Sequence, residues 1–161
     1  VVRLGLGRDS HAFDTEKKPL VLGGVKLSDS GGLRANSDGD VVLHALFNAL
    51  SQACGGESIG HYADPLCKRG ITDSSEYLKV ALDMVGGINH RINNIGIMVE
   101  AKRPFLSRGQ IADMKRSVAR LASVDERDVG ITFTSGEGLT AFGRGEGILA
   151  EAVVSLIEIQ K

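Results

Sequence analysis

The stretch Asn36-Ser37-Asp38-Gly39-Asp40-Val41-Val42-Leu43-His44 reads as a polar turn feeding an amphipathic helix that runs to about Ala53. Ser37 or Asp38 is the expected N-cap, since either side-chain oxygen can accept from an orphan backbone N–H of the first turn. Val42, Leu43, Leu46, Phe47, Ala49, Leu50 and Ala53 supply the apolar positions. Asp40, His44 and Asn48 recur at i, i+4 and i+8, so they form one polar stripe. A histidine between a carboxylate and an amide, on a helix otherwise built for a core, has two explanations. It is a hydrogen-bonded core histidine, or it is part of a site, with Asp40 accepting the second ring N–H and fixing the tautomer.

Outward toward the N-terminus, residues 1–7 read as a strand, with Asp9-Ser10-His11 at its end. If the strand geometry persists, Asp9 and His11 project to the same side, because side chains alternate with period two. That pair is half a metal site; the plainer reading is a turn aspartate beside a surface histidine. Gly5-Leu6-Gly7 does not make a dinucleotide loop, because Arg8-Asp9-Ser10 follows and the third glycine is missing. Residues 20–25 form a second short strand, with Gly23-Gly24 as a turn or bulge, and residues 28–34 a polar loop.

Outward toward the C-terminus, Gly55-Gly56 closes the helix. Residues 57–71 show no clear periodicity, and a polar segment of that length is more often functional than a plain connector. Thr72 or Asp73 with Glu76 starts a second helix, which Gly86-Gly87 ends. Residues 91–101 are a strand, 107–122 a third helix and 129–133 another strand. Thr134-Ser135-Gly136-Glu137 follows, where hydroxyls and backbone N–H groups stand beside one carboxylate. That combination suits phosphate oxygens and a hard divalent cation such as Mg²⁺; the plainer reading is a turn with a surface Glu. Residues 148–159 fit a strand or a helix.

Composition narrows the classes. The chain has 161 residues, enough for one domain with a real core. Its net charge of -1 and 4% aromatic content argue against nucleic acid as a partner. No apolar run approaches a membrane span and no secretory signal is read. The chain starts at Val1, as a trimmed, processed or excised product would. Cys54 and Cys67 form no C-x-x-C pair, which fits a reducing compartment.

Asp9, His11 and His44 together offer one oxygen and two nitrogens. Three protein ligands with a position left open is the arrangement of a catalytic zinc site, although the ligand types admit other divalent metals.

Several motifs in order then resemble the 2-C-methyl-D-erythritol 2,4-cyclodiphosphate synthase family of the non-mevalonate isoprenoid pathway. They are Arg3-Leu4-Gly5-x-Gly7-x-Asp9-x-His11-x-Phe13, Leu22-Gly23-Gly24-Val25, Ser37-Asp38-Gly39-Asp40-Val41-x-x-His44-Ala45, Ile59-Gly60, and Phe142-Gly143-Arg144-Gly145-Glu146-Gly147. The resemblance covers nearly the whole chain.

It implies a single α/β (α+β) domain over residues 1–161, a mixed β-sheet with helices packed on one side, assembling as a homotrimer with sites between subunits. It implies Zn²⁺ on Asp9, His11 and His44, and Mg²⁺ or Mn²⁺ held with the substrate by Glu137. The implied reaction is metal-assisted cyclisation of 4-diphosphocytidyl-2-C-methyl-D-erythritol 2-phosphate with loss of CMP. Asn36 and Ser135 would act on the reacting phosphates, with Asp9, Ser10, His11 and Ser37 beside them. Ser58, Ile59 and Gly60 would approach the ribose. Tyr62, Ala63, Asp64, Pro65 and Leu66 would meet the erythritol part. Ala101, Lys102, Arg103, Pro104, Phe105, Leu106 and Ser107 would wrap the cytosine. Thr134, Ser135, Gly136 and Glu137 would complete the nucleotide side, and Arg144 would lie near the trimer axis or the diphosphate. The expected location is the bacterial cytoplasm, or the plastid stroma of a eukaryote.

The chain departs from the family pattern at four residues, and the loop before Asp64 is one residue shorter. Asn36 stands for a frequent His, Asn48 and Ser58 for frequent Asp, and Phe105 for a frequent Lys. These departures leave two alternatives: a non-catalytic module binding a nucleotide or isoprenoid diphosphate, and a zinc-dependent nucleotide phosphohydrolase.

Overall fold

The computed structural model describes residues 1–160. Its strands and helices run β1 (Val2–Ala12), β2 (Leu20–Leu22), β3 (Val25–Ser28), α1 (Val41–Ala53), α2 (Ile59–Lys68), α3 (Ser74–Gly87), β4 (His90–Glu100), α4 (Arg108–Ala122), β5 (Val129–Thr134) and β6 (Gly147–Glu158). Four strands make one mixed sheet in the order β1-β6-β4-β5. β6 pairs antiparallel with both β1 and β4, and β4 pairs parallel with β5. The ambiguous C-terminal stretch is therefore a strand, second in the sheet. Its Ile148, Ala150, Ala152, Val154 and Leu156 are buried along one face, the period-two pattern of a strand against a core.

Helix α1 is the centre of the molecule. All its residues are buried except Asn48 and Gln52, so it is enclosed rather than laid on a surface. It packs on β1 and β6 on one side and α3 on another. Its approach to β1 is set by two strand glycines. A Cβ on Gly5 would lie 1.9 Å from the Ala49 carbonyl oxygen, and one on Gly7 would lie 2.0 Å from that of Ala45. The Gly-x-Gly pair is thus a helix seat. The opposite sheet face carries Val2, Leu4, Leu6 and Val153, all at least half exposed.

The start of α1 differs from the sequence expectation. Asp40, not Ser37 or Asp38, is the N-cap, accepting from Leu43 N at 3.0 Å. Its carboxylate also accepts from Gly23 N at 2.9 Å and Gly24 N at 2.7 Å, so the β2–β3 hairpin is tied to the helix. Gly23 and Gly24 both have positive φ (62° and 76°), as a two-residue primed turn requires. The expected second strand is therefore the first arm of a hairpin.

A second difference is α2. Residues 57–71 read as aperiodic, yet Ile59–Lys68 is helical with Pro65 inside it. Proline removes one backbone donor and argues against a helix. Here the segment is held by burial of Ala63 and by the partly buried Ile59, Tyr62 and Leu66 packed on the core.

Candidate active site

Asp9 and His11 project from β1 to one side, as the strand period requires. His44, in the first turn of α1, meets them because the Gly5 and Gly7 seat brings helix and strand together. Asp9 Oδ2 lies 2.8 Å from His44 Nδ1 and 3.2 Å from His11 Nε2. The two imidazoles meet edge to face, with centroids 5.7 Å apart. One ligand atom from each residue falls within 4.8 Å of the others. Burial works to raise the Asp9 carboxyl, but hydrogen bonds to His11 and His44, and their charge, outweigh it and hold the group at about 2. A carboxylate kept ionised beside two imidazoles is a donor set that fits a divalent cation of the zinc type.

The rear of His44 is not where the sequence pointed. Asp40 does not accept its second ring N–H; the capping and hairpin bonds consume that carboxylate. Burial pushes Asp40 up to about 6, against three backbone N–H bonds that favour the ionised form. His44 Nε2 instead faces Ser74 Oγ at 2.8 Å, with Ser37 Oγ farther away at 3.4 Å. Ser74 is the first residue of α3 and is buried. Its hydroxyl donates to Asp38 Oδ1, and its backbone N–H to Asp38 Oδ2 at 3.0 Å. The third member of the expected stripe, Asn48, ties α1 to its neighbours, donating to Arg8 O at 3.3 Å and accepting from Ile59 N at 2.9 Å.

Asp9, His11, Asn36, Ser37, His44, Ile59, Gly60, Ala63 and Asp64 line one cavity of about 190 Å³. Ala35, Cys67 and Tyr77 complete it. Ser10 alternates to the exposed side of β1, so its side chain faces away. Ser58 caps α2 without a side-chain bond and lines a separate polar cleft with Asn48. The Tyr62 hydroxyl accepts from Glu57 N at 3.1 Å and its ring packs on Phe47, so it ties α2 to α1 and, like Phe47, lies outside the cavity lining. Pro65 and Leu66 lie outside this cavity.

Ala101, Lys102, Pro104, Phe105, Leu106, Thr134 and Ser135 line a second cavity of about 380 Å³, together with the apolar Leu22, Val99, Ile111, Phe133 and Ile148. Arg103 turns the other way, onto the Phe13 ring. The Ser107 hydroxyl caps α4 in a capping box with Gln110. The loop carrying Ser135 is moored to β4: Ala101 N donates to Thr134 O at 3.0 Å, Lys102 N to Phe142 O at 3.1 Å, and the Thr140 hydroxyl to Glu100. Glu137 sits in the left-handed region (φ 51°) between Gly136 and Gly138, and Ser135 Oγ accepts from its N–H at 3.4 Å. Arg144 is exposed and paired with Glu146 at 2.9 Å.

Ser74, Cys67 and Tyr77 were not read as site residues from the sequence. Thr72-Asp73-Ser74 carries only a capping signal, and Asp73 does cap α3. Nothing local marks the next residue as a partner of His44.

Fold and site define a metal-binding α/β protein whose ligands come from a strand and from the first turn of the helix seated on it. The chain belongs to the YgbB family, whose profile matches residues 2–157. A curated relative from Chlamydia trachomatis serovar L2b (strain UCH-1/proctitis), named 2-C-methyl-D-erythritol 2,4-cyclodiphosphate synthase, is 40% identical over 161 residues, covering 98% of this chain and 89% of its own. Among solved structures, the bifunctional IspDF from Campylobacter jejuni matches with a TM-score of 0.90 and 36% identity, over 99% of this chain and 43% of that one. IspF of Plasmodium falciparum, solved as a CDP complex, matches with a TM-score of 0.84 and 26% identity, over 99% and 97%.

Proposed function

We propose that this chain is a phosphorus–oxygen lyase of the non-mevalonate pathway, converting 4-diphosphocytidyl-2-C-methyl-D-erythritol 2-phosphate to 2-C-methyl-D-erythritol 2,4-cyclodiphosphate and CMP. The observation that carries the reading is the Asp9, His11 and His44 group opening on the same cavity as Asn36 and Ser37, in a chain of this family. An oxygen of the 2-phosphate forms a bond to the β-phosphorus as the bond to the CMP oxygen breaks. The attacking phosphate is already ionised, so no general base is needed. Catalysis rests on alignment and charge. A divalent ion on Asp9, His11 and His44, which we take to be Zn²⁺, supplies Lewis acidity to phosphate oxygens.

The remaining work falls to side chains. The Asn36 amide and the Ser37 hydroxyl donate to phosphate oxygens; Ser37 Oγ accepts from Gly39 N at 3.2 Å, which leaves its proton free. Ser135 donates from the nucleotide side, and Glu137 offers a carboxylate to Mg²⁺ or Mn²⁺ arriving with the substrate. The largely apolar second cavity suits a pyrimidine between Pro104–Leu106 and Thr134. Asp64 faces the erythritol hydroxyls.

Within one chain, the Asp9, His11 and His44 group with Asn36 and Ser37 lines one cavity, while Ser135 and most of the residues assigned to the cytosine line another. A trimer would let a neighbour's nucleoside cavity face the metal group, and the exposed Val2, Leu4, Leu6 and Val153 face supports burial against further copies. Light scattering should then give three times the 17.0 kDa chain mass. The two unpaired cysteines and the bacterial relative support a cytoplasmic location.

The test is CMP release from the named substrate with Zn²⁺ and Mg²⁺ present and then chelated. The expected result is metal-dependent CMP and a cyclic diphosphate. No CMP from folded, zinc-loaded protein would overturn the reading in favour of a binding module.

A further inference from the structure

His44 must present Nδ1, the nitrogen facing Asp9, with a free electron pair if it is to ligate a metal. Its proton must then sit on Nε2, which lies deep in the protein and needs an acceptor. Among the described residues, the group nearest Nε2 is Ser74 Oγ, at 2.8 Å, with Ser37 Oγ more distant at 3.4 Å. A hydroxyl can donate or accept toward an imidazole, so Ser74 alone would not choose the tautomer.

Asp38 makes the choice. Its carboxylate oxygens accept from the Ser74 hydroxyl, from Ser74 N at 3.0 Å and from Asp40 N at 3.1 Å. Two of those donors are backbone N–H groups and cannot turn away. The carboxylate is thereby fixed, the Ser74 proton points at it, and a lone pair is left toward Nε2. We propose that Ser74, oriented by Asp38, is the positioning residue of the metal site: it holds His44 in the Nε2–H form and aims Nδ1 at the metal. This rests on the reading of Asp9, His11 and His44 as ligands. The chain of contacts joins the turn before α1, the first residue of α3 and the first turn of α1. The rigidity of the site therefore depends on α3, which contributes no ligand.

The experiment is Zn²⁺ affinity by chelator competition on the wild type, Ser74→Ala and Ser74→Thr, with long-range ¹H–¹⁵N spectra of the His44 ring in zinc-loaded wild type. Outer hydrogen-bond partners of ligating histidines are worth roughly 10–100-fold in metal affinity. Ser37 stands near enough to substitute in part, so Ser74→Ala should weaken Zn²⁺ by about tenfold, and Ser74→Thr should restore most of it. The wild-type ring should show the proton on Nε2. A Ser74→Ala protein that is less heat-stable but binds Zn²⁺ within twofold of wild type would reduce Ser74 to a packing role. A ring proton on Nδ1 would overturn the proposal without any variant. Wild type that takes up no divalent metal would instead overturn the ligand reading, and this proposal with it.

Discussion

Replacing Gly7 by alanine tests the seat on which the site depends. The added Cβ would lie 2.0 Å from Ala45 O and 2.4 Å from Ala49 N, and both are helix backbone, so no side-chain rotation relieves the contact. Cβ atoms essentially never approach a heavy atom within 3.0 Å, so α1 must retreat from β1 by about 1 Å. Overpacking of this kind costs about 1–3 kcal/mol, and a clash with backbone belongs at the upper end. For a domain of this size, 3 kcal/mol corresponds to a melting temperature lower by roughly 6–12 °C. The same retreat opens the 2.8 Å Asp9–His44 contact, and a displacement of about 1 Å at a reacting centre costs on the order of a hundredfold in rate. Gly130→Ala is the control: it is also a strand glycine, but its Cβ would meet nothing within 4 Å, so stability should hold or rise slightly. Calorimetry reads the first effect, CMP release the second, and metal titration the opening of the ligand group that links them. A Gly7→Ala protein with wild-type melting and wild-type Zn²⁺ affinity would refute the seat.

Other substitutions probe single contacts. His44→Ala should leave the protein folded and remove most CMP release together with the bound metal, read by turnover and metal analysis. Asp40→Asn should lower stability by about 1–3 kcal/mol, because the amide oxygen can keep the Gly23 and Leu43 N–H groups but its NH₂ would then face the Gly24 N–H; denaturant unfolding measures it. In metal-free protein the depressed Asp9 carboxyl contributes about 2 kcal/mol. That stability is present above about pH 4 and is lost as pH falls toward 2, so Asp9→Asn should flatten the stability–pH curve in that window. Asn36→His should be tolerated, and a collapse of turnover in that variant would mean the phosphate side of the cavity is shaped otherwise.

What could be read from the sequence was what is local or periodic. The extent of α1 and the same-side projection of Asp9 and His11 follow from strand and helix periods, whereas the joining of His44 to them is implied by the family resemblance and not by spacing. The cap of α1 does not, because the Asp40 carboxylate is also claimed by a hairpin 16 and 17 residues upstream, a tertiary contact with no local signature. Helix α2 was hidden by Pro65 and by a polar composition that only its packing on the core outweighs. Ser74 was out of reach for the same reason as Asp40: it meets His44 across 30 residues of chain. Gly5 and Gly7 could be excluded from a dinucleotide loop on spacing, but their use as a seat needs the position of α1.

The pairing of β1 has a consequence for synthesis. Along its length it is hydrogen-bonded to β6, from Val2 opposite Ile157 to Ala12 opposite Gly147, and even the nearest of these pairs spans most of the chain. A nascent polypeptide on the ribosome therefore carries Asp9 and His11 on a strand without its partner until the last strand has emerged. Such non-local pairing is slow to form. β1 carries two of the three ligands and is held in the sheet only once β6 has paired with it, so chains cut short before β6 should bind metal more weakly than chains that include it.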